Sequence, residues 1–119
     1  MKEYLIFVLD GVKYGIDVLK VQEISVSPIV TKLPFVGESV CGLINLRGSV
    51  VPLFDLKKIF GIDSEKGNLV ISCHLLERTI AFLVDDVEDF KKIEDFERVL
   101  FQSSIPSEFV EAFLKVDGE

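Results

Sequence analysis

Residues 41–56, CGLINLRGSVVPLFDL, set two short apolar runs on either side of Asn45-Leu46-Arg47-Gly48-Ser49. Runs of this length around a glycine-centred break read as a β-hairpin. Gly48 supplies the positive φ that such a turn needs and that other residues resist. Arg47 is the single basic residue of the stretch and stands beside the turn. Its guanidinium, a rigid fork of donors, either holds the turn together or faces a partner.

The rest of the chain repeats this construction. Residues 4–9, YLIFVL, form a strand that Asp10-Gly11 folds back onto residues 12–16, where Val12, Tyr14 and Ile16 share a face. Asp17 is placed to cap a short helix over 18–24, with Val18, Val21 and Ile24 on its apolar side. After Pro28, residues 29–34 are extended, and Pro34 opens a loop through Gly37, Glu38 and Ser39. The hairpin contributes strands over 40–46 and 49–54, and Pro52, lacking an N–H, places the second at a sheet edge or bulge. Asp55 caps another short helix, 56–60, which Gly61 ends. Strands over 69–76 and 79–84 meet at Glu77-Arg78. Residues 88–98 read as an amphipathic surface segment, 98–101 as a further short strand, 105–109 as a loop and 110–116 as a last extended segment. The pattern is all-β with short helices.

At 119 residues the chain forms one domain or two tightly joined small ones. A 49% hydrophobic fraction provides for a core and excludes wholesale disorder. The net charge of -7 and the absence of a basic block repel a nucleic-acid backbone from most of the surface. Cys41 and Cys73 lie in strand-like runs and read as buried free thiols; with one scattered histidine they make no metal site. The sequence shows no signal peptide and no apolar run long enough to cross a membrane, so a cytoplasmic location is expected.

Enzyme chemistry finds no support. There is neither a glycine-rich phosphate loop nor a nucleophile elbow. His74 is opposite in phase to Cys73 along one strand, so the two point to opposite faces and form no nucleophile–base pair. Asp85-Asp86 reads as a turn. No catalytic residue, metal ligand or cofactor is assigned. Phe35, beside Pro34 and Gly37, is the phenylalanine expected to be at least partly exposed.

An ordered set of motifs then points to a family. GLINLRGSVVPLFDLKKIFGI, 42–62, resembles the glycine–hydrophobic–Asn–Leu–Arg–Gly motif and following Pro–hydrophobic–Asp–Leu run of the CheW-like adaptor domain of chemotaxis systems. YLIFVLDGVKYGIDVLKVQEI is similar to that family's opening hairpin and V-x-E-I segment, and TIAFLVDDVEDF to its later Val-Asp strand. The resemblance implies one domain, 1–119, of two interleaved, packed SH3-like five-stranded β-barrels. It implies a non-catalytic adaptor between chemoreceptors and the histidine kinase, recruited to receptor arrays beneath the membrane. The implied partners are the kinase regulatory domain and the receptor signalling tip. Carried over residue by residue, Val21, Glu23 and Ile24 match the segment associated with partner contact, and Asn45, Arg47 and Gly48 match the central motif. Gly11, Gly42, Gly48 and Gly118 take structural turn positions. The alternative is a regulatory module of the same type in another pathway, or a fragment of a chemotaxis kinase.

Two features depart from the family pattern. Ala112 stands where glycine is more usual, and no apolar strand follows Val116-Asp117-Gly118. The second barrel is therefore expected to be incomplete, with an open edge near 110–116 able to pair with a second copy. The start at Met1 favours a standalone product over a kinase fragment. Residues 110–118 also echo 40–48, either as an internal duplication or as a shared strand–turn recipe.

Overall fold

The chain enters its first sheet through a hairpin, β1 (Glu3–Leu9) and β2 (Val12–Asp17), paired antiparallel around Asp10-Gly11. Both turn residues have positive φ, 51° and 80°, the geometry that matches the twist of a two-residue hairpin. A Cβ on Gly11 would meet nothing, so only backbone conformation restricts the position. Gly11→Val is therefore expected to lower stability by about 1–2 kcal/mol, the penalty of the left-handed region for a side chain, and Gly11→Asn by clearly less. Equal melting temperatures for the two variants would count against this turn.

The computed structural model describes residues 2–26, 28–65, 67–94, 96–97, 99 and 106–116. After a 3₁₀ turn, Val18–Lys20, come β3 (Val21–Val26), β4 (Val40–Leu46), β5 (Ser49–Asp55), α1 (Leu56–Ile59), β6 (Leu69–Leu75) and β7 (Arg78–Val84). They are followed by β8 (Asp86–Lys92), β9 (Phe96–Glu97), α2 (Ser107–Ala112) and β10 (Phe113–Val116). The strands form two five-stranded sheets, in the orders β8-β1-β2-β10-β9 and β3-β6-β7-β5-β4.

This corrects the expectation of two five-stranded SH3-like barrels. Each unit has its five strands, but neither sheet closes: among the described residues the outer strands β8 and β9, and β3 and β4, are not paired. A barrel needs every strand to find two neighbours in a consistently staggered register. Here β9 is two residues long, and the second sheet is mixed, with β5 parallel to β7. The edges are managed without closure. Thr31 and Leu43 exchange both backbone hydrogen bonds at 2.8 Å, covering part of β4. The β8 edge carries Asp86, Glu88, Asp89, Lys91 and Lys92, charges that blunt pairing with another chain.

Four local expectations change. The helix over 18–24 shrinks to its first three residues, with the Asp17 carboxylate accepting from Leu19 N at 3.0 Å. So short a helix has no stability of its own. The β-branched Val21, Ile24 and Val26 instead extend along β6. Residues 29–34 contribute only the Thr31 bridge. The segment placed on the surface at 88–98 supplies β8, hydrogen-bonded to β1. Residues 107–112 are helical, so the echo of 40–48 extends to the backbone only in part: Val40–Gly42 is strand where Val110–Ala112 is helix, while Leu43–Leu46 and Phe113–Val116 are both strand.

Two edge expectations are also overturned. β5 is an interior strand rather than an edge, and the slip in its pairing with β4 falls between Val40 and Gly42, beside Pro52 rather than at it. Because Leu43 turns its N–H and C=O towards Thr31, its partner Pro52 sits in a non-hydrogen-bonded pair, and the ladder to β7 begins only at Leu53. The missing N–H is not called for there. Likewise β10 lies between β2, which pairs with Phe113–Lys115, and β9, which pairs with Lys115 and Val116, so the strand expected to be an open edge near 110–116 is interior at its end. Gly118 and most of 98–101 lie outside the described residues.

Phenylalanine holds the two sheets together. Phe113 of β10 packs against Phe7 of β1, Phe82 of β7, Phe60 after α1 and Phe109 of α2, with ring centroids 5.0–6.1 Å apart. Three of these contacts, with Phe7, Phe60 and Phe82, are edge-on, the favoured aromatic geometry. Cys73 is part of the same core, and burial pushes its thiol up to about 12. At pH 8 only about 1 in 10⁴ such thiols is a thiolate, the reactive form. Cys73 is expected to resist iodoacetamide until the chain is unfolded. Labelling at the rate of a free thiol under native conditions would contradict this burial.

Candidate functional site

The β4–β5 turn is built by the residues singled out in the sequence. Arg47 and Gly48 occupy its two positive-φ positions, 52° and 88°. The turn is braced by Asn45, whose Oδ1 accepts from Gly48 N at 2.9 Å. Arg47 is thereby released from holding the turn. Its Nε donates to Glu23 Oε2 at 3.2 Å, and its side chain is 85% exposed against 29% for Glu23.

This ion pair has a particular position. Glu23 is on β3 and Arg47 follows β4, the two outer strands of the second sheet. A side-chain bridge thus spans the seam between the sheet's outer strands, which no backbone ladder closes among the described residues. Beside it lies a cleft of about 470 Å³, lined by Gln22, Glu23, Arg47, Ser49 and Thr79 with Val51 at its base. Two of these lining residues are joined, Thr79 Oγ1 donating to Gln22 Oε1 at 3.1 Å.

The flanks are apolar. Ile24 and Val26 project outward from β3, and Val50, 67% exposed, projects from β5. Ile29, Leu43 and Val50 line a second cleft, of about 520 Å³, on the outer surface of the hairpin. The structure thus brings Glu23, Asn45, Arg47 and Gly48 together, with Ile24 nearby. Val21 turns inward and packs against the core. Gly42, at φ 144°, sits where the β4–β5 register slips, and a Cβ there would collide with the Thr31 carbonyl.

Sequence reasoning missed Val50, Gln22 and Thr79. Strand alternation with the buried Val51 and Leu53 marks one of them, since Val50 must then face outward. Gln22 and Thr79 meet only through the sheet order. Phe35 is fully exposed, with φ 60°. His74 is exposed on the face opposite Cys73, and Asp85 is tied to Lys57 Nζ at 2.6 Å. Among the described residues no group of three or more His, Cys, Asp or Glu side chains converges as a metal site, and no helix is long and apolar enough to cross a membrane.

The fold and this surface define an all-β domain of two open sheets, the second of which has its outer strands bridged by an exposed ion pair. The family model of the CheW-like domain matches residues 3–119, and the chain belongs to that family. The chemotaxis protein CheW of Klebsiella aerogenes is 38% identical over 91 residues, covering 74% of this chain and 55% of the relative. CheW of Bacillus subtilis is 30% identical over 101 residues, covering 81% of this chain and 64% of the relative. The chain thus spans between about half and two thirds of the length of these relatives. The crystal structure of the scaffolding protein TtCheW from Thermoanaerobacter tengcongensis superposes with a TM-score of 0.75 at 30% identity, covering 89% of this chain and 74% of the other. The family is one of non-catalytic chemotaxis adaptors, and the two open sheets are this chain's form of its double SH3-like fold.

Proposed function

We propose that this chain is a chemotaxis adaptor that couples chemoreceptor signalling tips to the regulatory domain of the histidine kinase. It acts as one domain of two interleaved sheets at receptor arrays on the cytoplasmic side of the membrane. Family membership supports the role, and the Arg47–Glu23 bridge across the open seam carries the site. An exposed ion pair adds little to folding, commonly about 0–1 kcal/mol. A motif arginine that leaves turn-holding to Asn45 and reaches over a seam is therefore read as a recognition element.

In this reading Arg47 and Glu23 give the polar centre of the docking surface. Ile24 and Val50 give its apolar margin, Asn45 and Gly48 fix the turn that presents it, and Val21 supports β3 from the core. Charges of this kind select partner and orientation more than they set raw affinity. The test is capture of a chemotaxis kinase regulatory domain and a receptor signalling-tip hairpin by the purified chain. Binding of either, weakened by substitution at Arg47, supports the reading. A folded chain that captures neither overturns it, in favour of a CheW-like regulatory module in another pathway or of a kinase fragment.

A further inference from the structure

We propose that the buried ammonium of Lys57 is a latch that fixes the two sheets relative to one another. The Lys57 side chain is only 4% exposed. Its Nζ lies 2.6 Å from Asp85 Oδ1, 2.8 Å from Ser64 Oγ and 2.6 Å from the Glu65 carbonyl. An ammonium has three protons, and these three oxygens, drawn from two separate segments, use all of them. The loop carrying Ser64 and Glu65 is pressed against the end of β7: a Cβ on Gly67 would collide with the Val84 carbonyl.

Asp85 carries the connection into the other sheet. It is the single residue between β7 and β8, where the chain leaves the second sheet for the first. Its Oδ2 accepts from Asp10 N at 2.7 Å, in the β1–β2 turn, and its own N–H donates to the Val8 carbonyl at 3.0 Å. A charge on α1 of one sheet therefore orients the carboxylate that grips a turn of the other. Buried ion pairs are weak devices for stability, and their best-attested use is to specify one arrangement over its alternatives. Lys57 is in this sense a positioning residue. It sets where the Arg47–Glu23 seam lies relative to the first sheet, whatever partner the seam takes.

Hydrogen exchange on the full chain tests this. In the wild type the Asp10 amide, although in an exposed turn, is expected to exchange at least tenfold more slowly than the unbonded amide of a model peptide. In Lys57→Met it is expected to exchange at least tenfold faster, beyond any change shared with the amides of Ser72 and Ala81 at the centre of the second sheet. Lys57→Met with Asp85→Asn, which leaves no lone carboxylate, is expected to free Asp10 no further than Lys57→Met alone, since residues of one network do not add. A wild-type Asp10 amide that exchanges as a free turn amide would overturn the proposal without any variant. So would a uniform change at all amides in Lys57→Met, or multiplying effects in the double variant.

Discussion

Replacing Phe113 by alanine is expected to lower the free energy of unfolding by about 3–5 kcal/mol, the range for a large aromatic removed from a core. The ring is 2% exposed and touches four other phenylalanine rings, two of them on elements of the second sheet or its following helix, Phe82 and Phe60. Its loss therefore opens a cavity between the sheets, where neither can collapse inward without giving up its own register. Two of the surrounding rings, Phe7 on β1 and Phe82 on β7, are held by strands and relax only in part. Urea unfolding followed by circular dichroism measures the effect, with an unchanged m-value showing that the same surface is exposed on unfolding. Phe35→Ala, at a fully exposed ring, serves as the control and is expected to leave the midpoint in place. A Phe113→Ala loss below about 1 kcal/mol would mean that this ring cluster is not what joins the sheets.

Reversing the charge at the seam acts on binding rather than folding. Arg47→Glu is expected to weaken capture of the kinase regulatory domain by roughly 30-fold or more, the scale of an interface hot spot. Its unfolding midpoint should move little, because Arg47 is 85% exposed and the turn is braced by Asn45. In the variant two carboxylates face each other across the seam and the edges repel. Adding Glu23→Arg restores an ion pair in the opposite sense. If the bridge matters by holding the seam together, the double variant recovers binding; if Arg47 itself meets the partner, it does not. Unchanged affinity in the single variant would remove Arg47 from the docking surface.

Part of this architecture is written locally. Asp10-Gly11, Gly48, Asp55 before α1 and Gly61 after it each take the conformation that their own chemistry favours, whereas Arg47, at φ 52°, is carried into the left-handed region by the turn it shares with Gly48. A turn, or a cap two residues from its donor, depends on a handful of neighbours, all present in the sequence window. At the candidate site the same local chemistry made the turn of Asn45, Arg47 and Gly48 legible, one turn of one hairpin.

What stayed hidden depended on partners distant in the chain. Asp17 caps its helix as expected, yet only β6, some fifty residues on, converts Val21–Val26 into a strand. Phe90 lies at a spacing that suits a helix, but β1 recruits the whole of Asp86–Lys92 as a strand. Pro52 behaves as a proline at an edge would, and Thr31 decides that it is tolerated inside the sheet.

By itself, then, the amino-acid sequence determined the turns at Asp10-Gly11 and Arg47-Gly48, the caps, most strands, the apolar content of the core and the family motif, while the turn read at Glu77-Arg78 falls one residue earlier, at Leu76-Glu77. The tertiary structure alone decided that the sheets stay open, that β10 fits between β2 and β9, that Glu23 meets Arg47, and that Lys57 reaches Asp85. The physical reason is the range of the interaction. A turn is settled by the φ and hydrogen bonds of adjacent residues. Closure of a sheet, or the pairing of two charges 24 residues apart, is settled by which strands have already taken each other's hydrogen bonds.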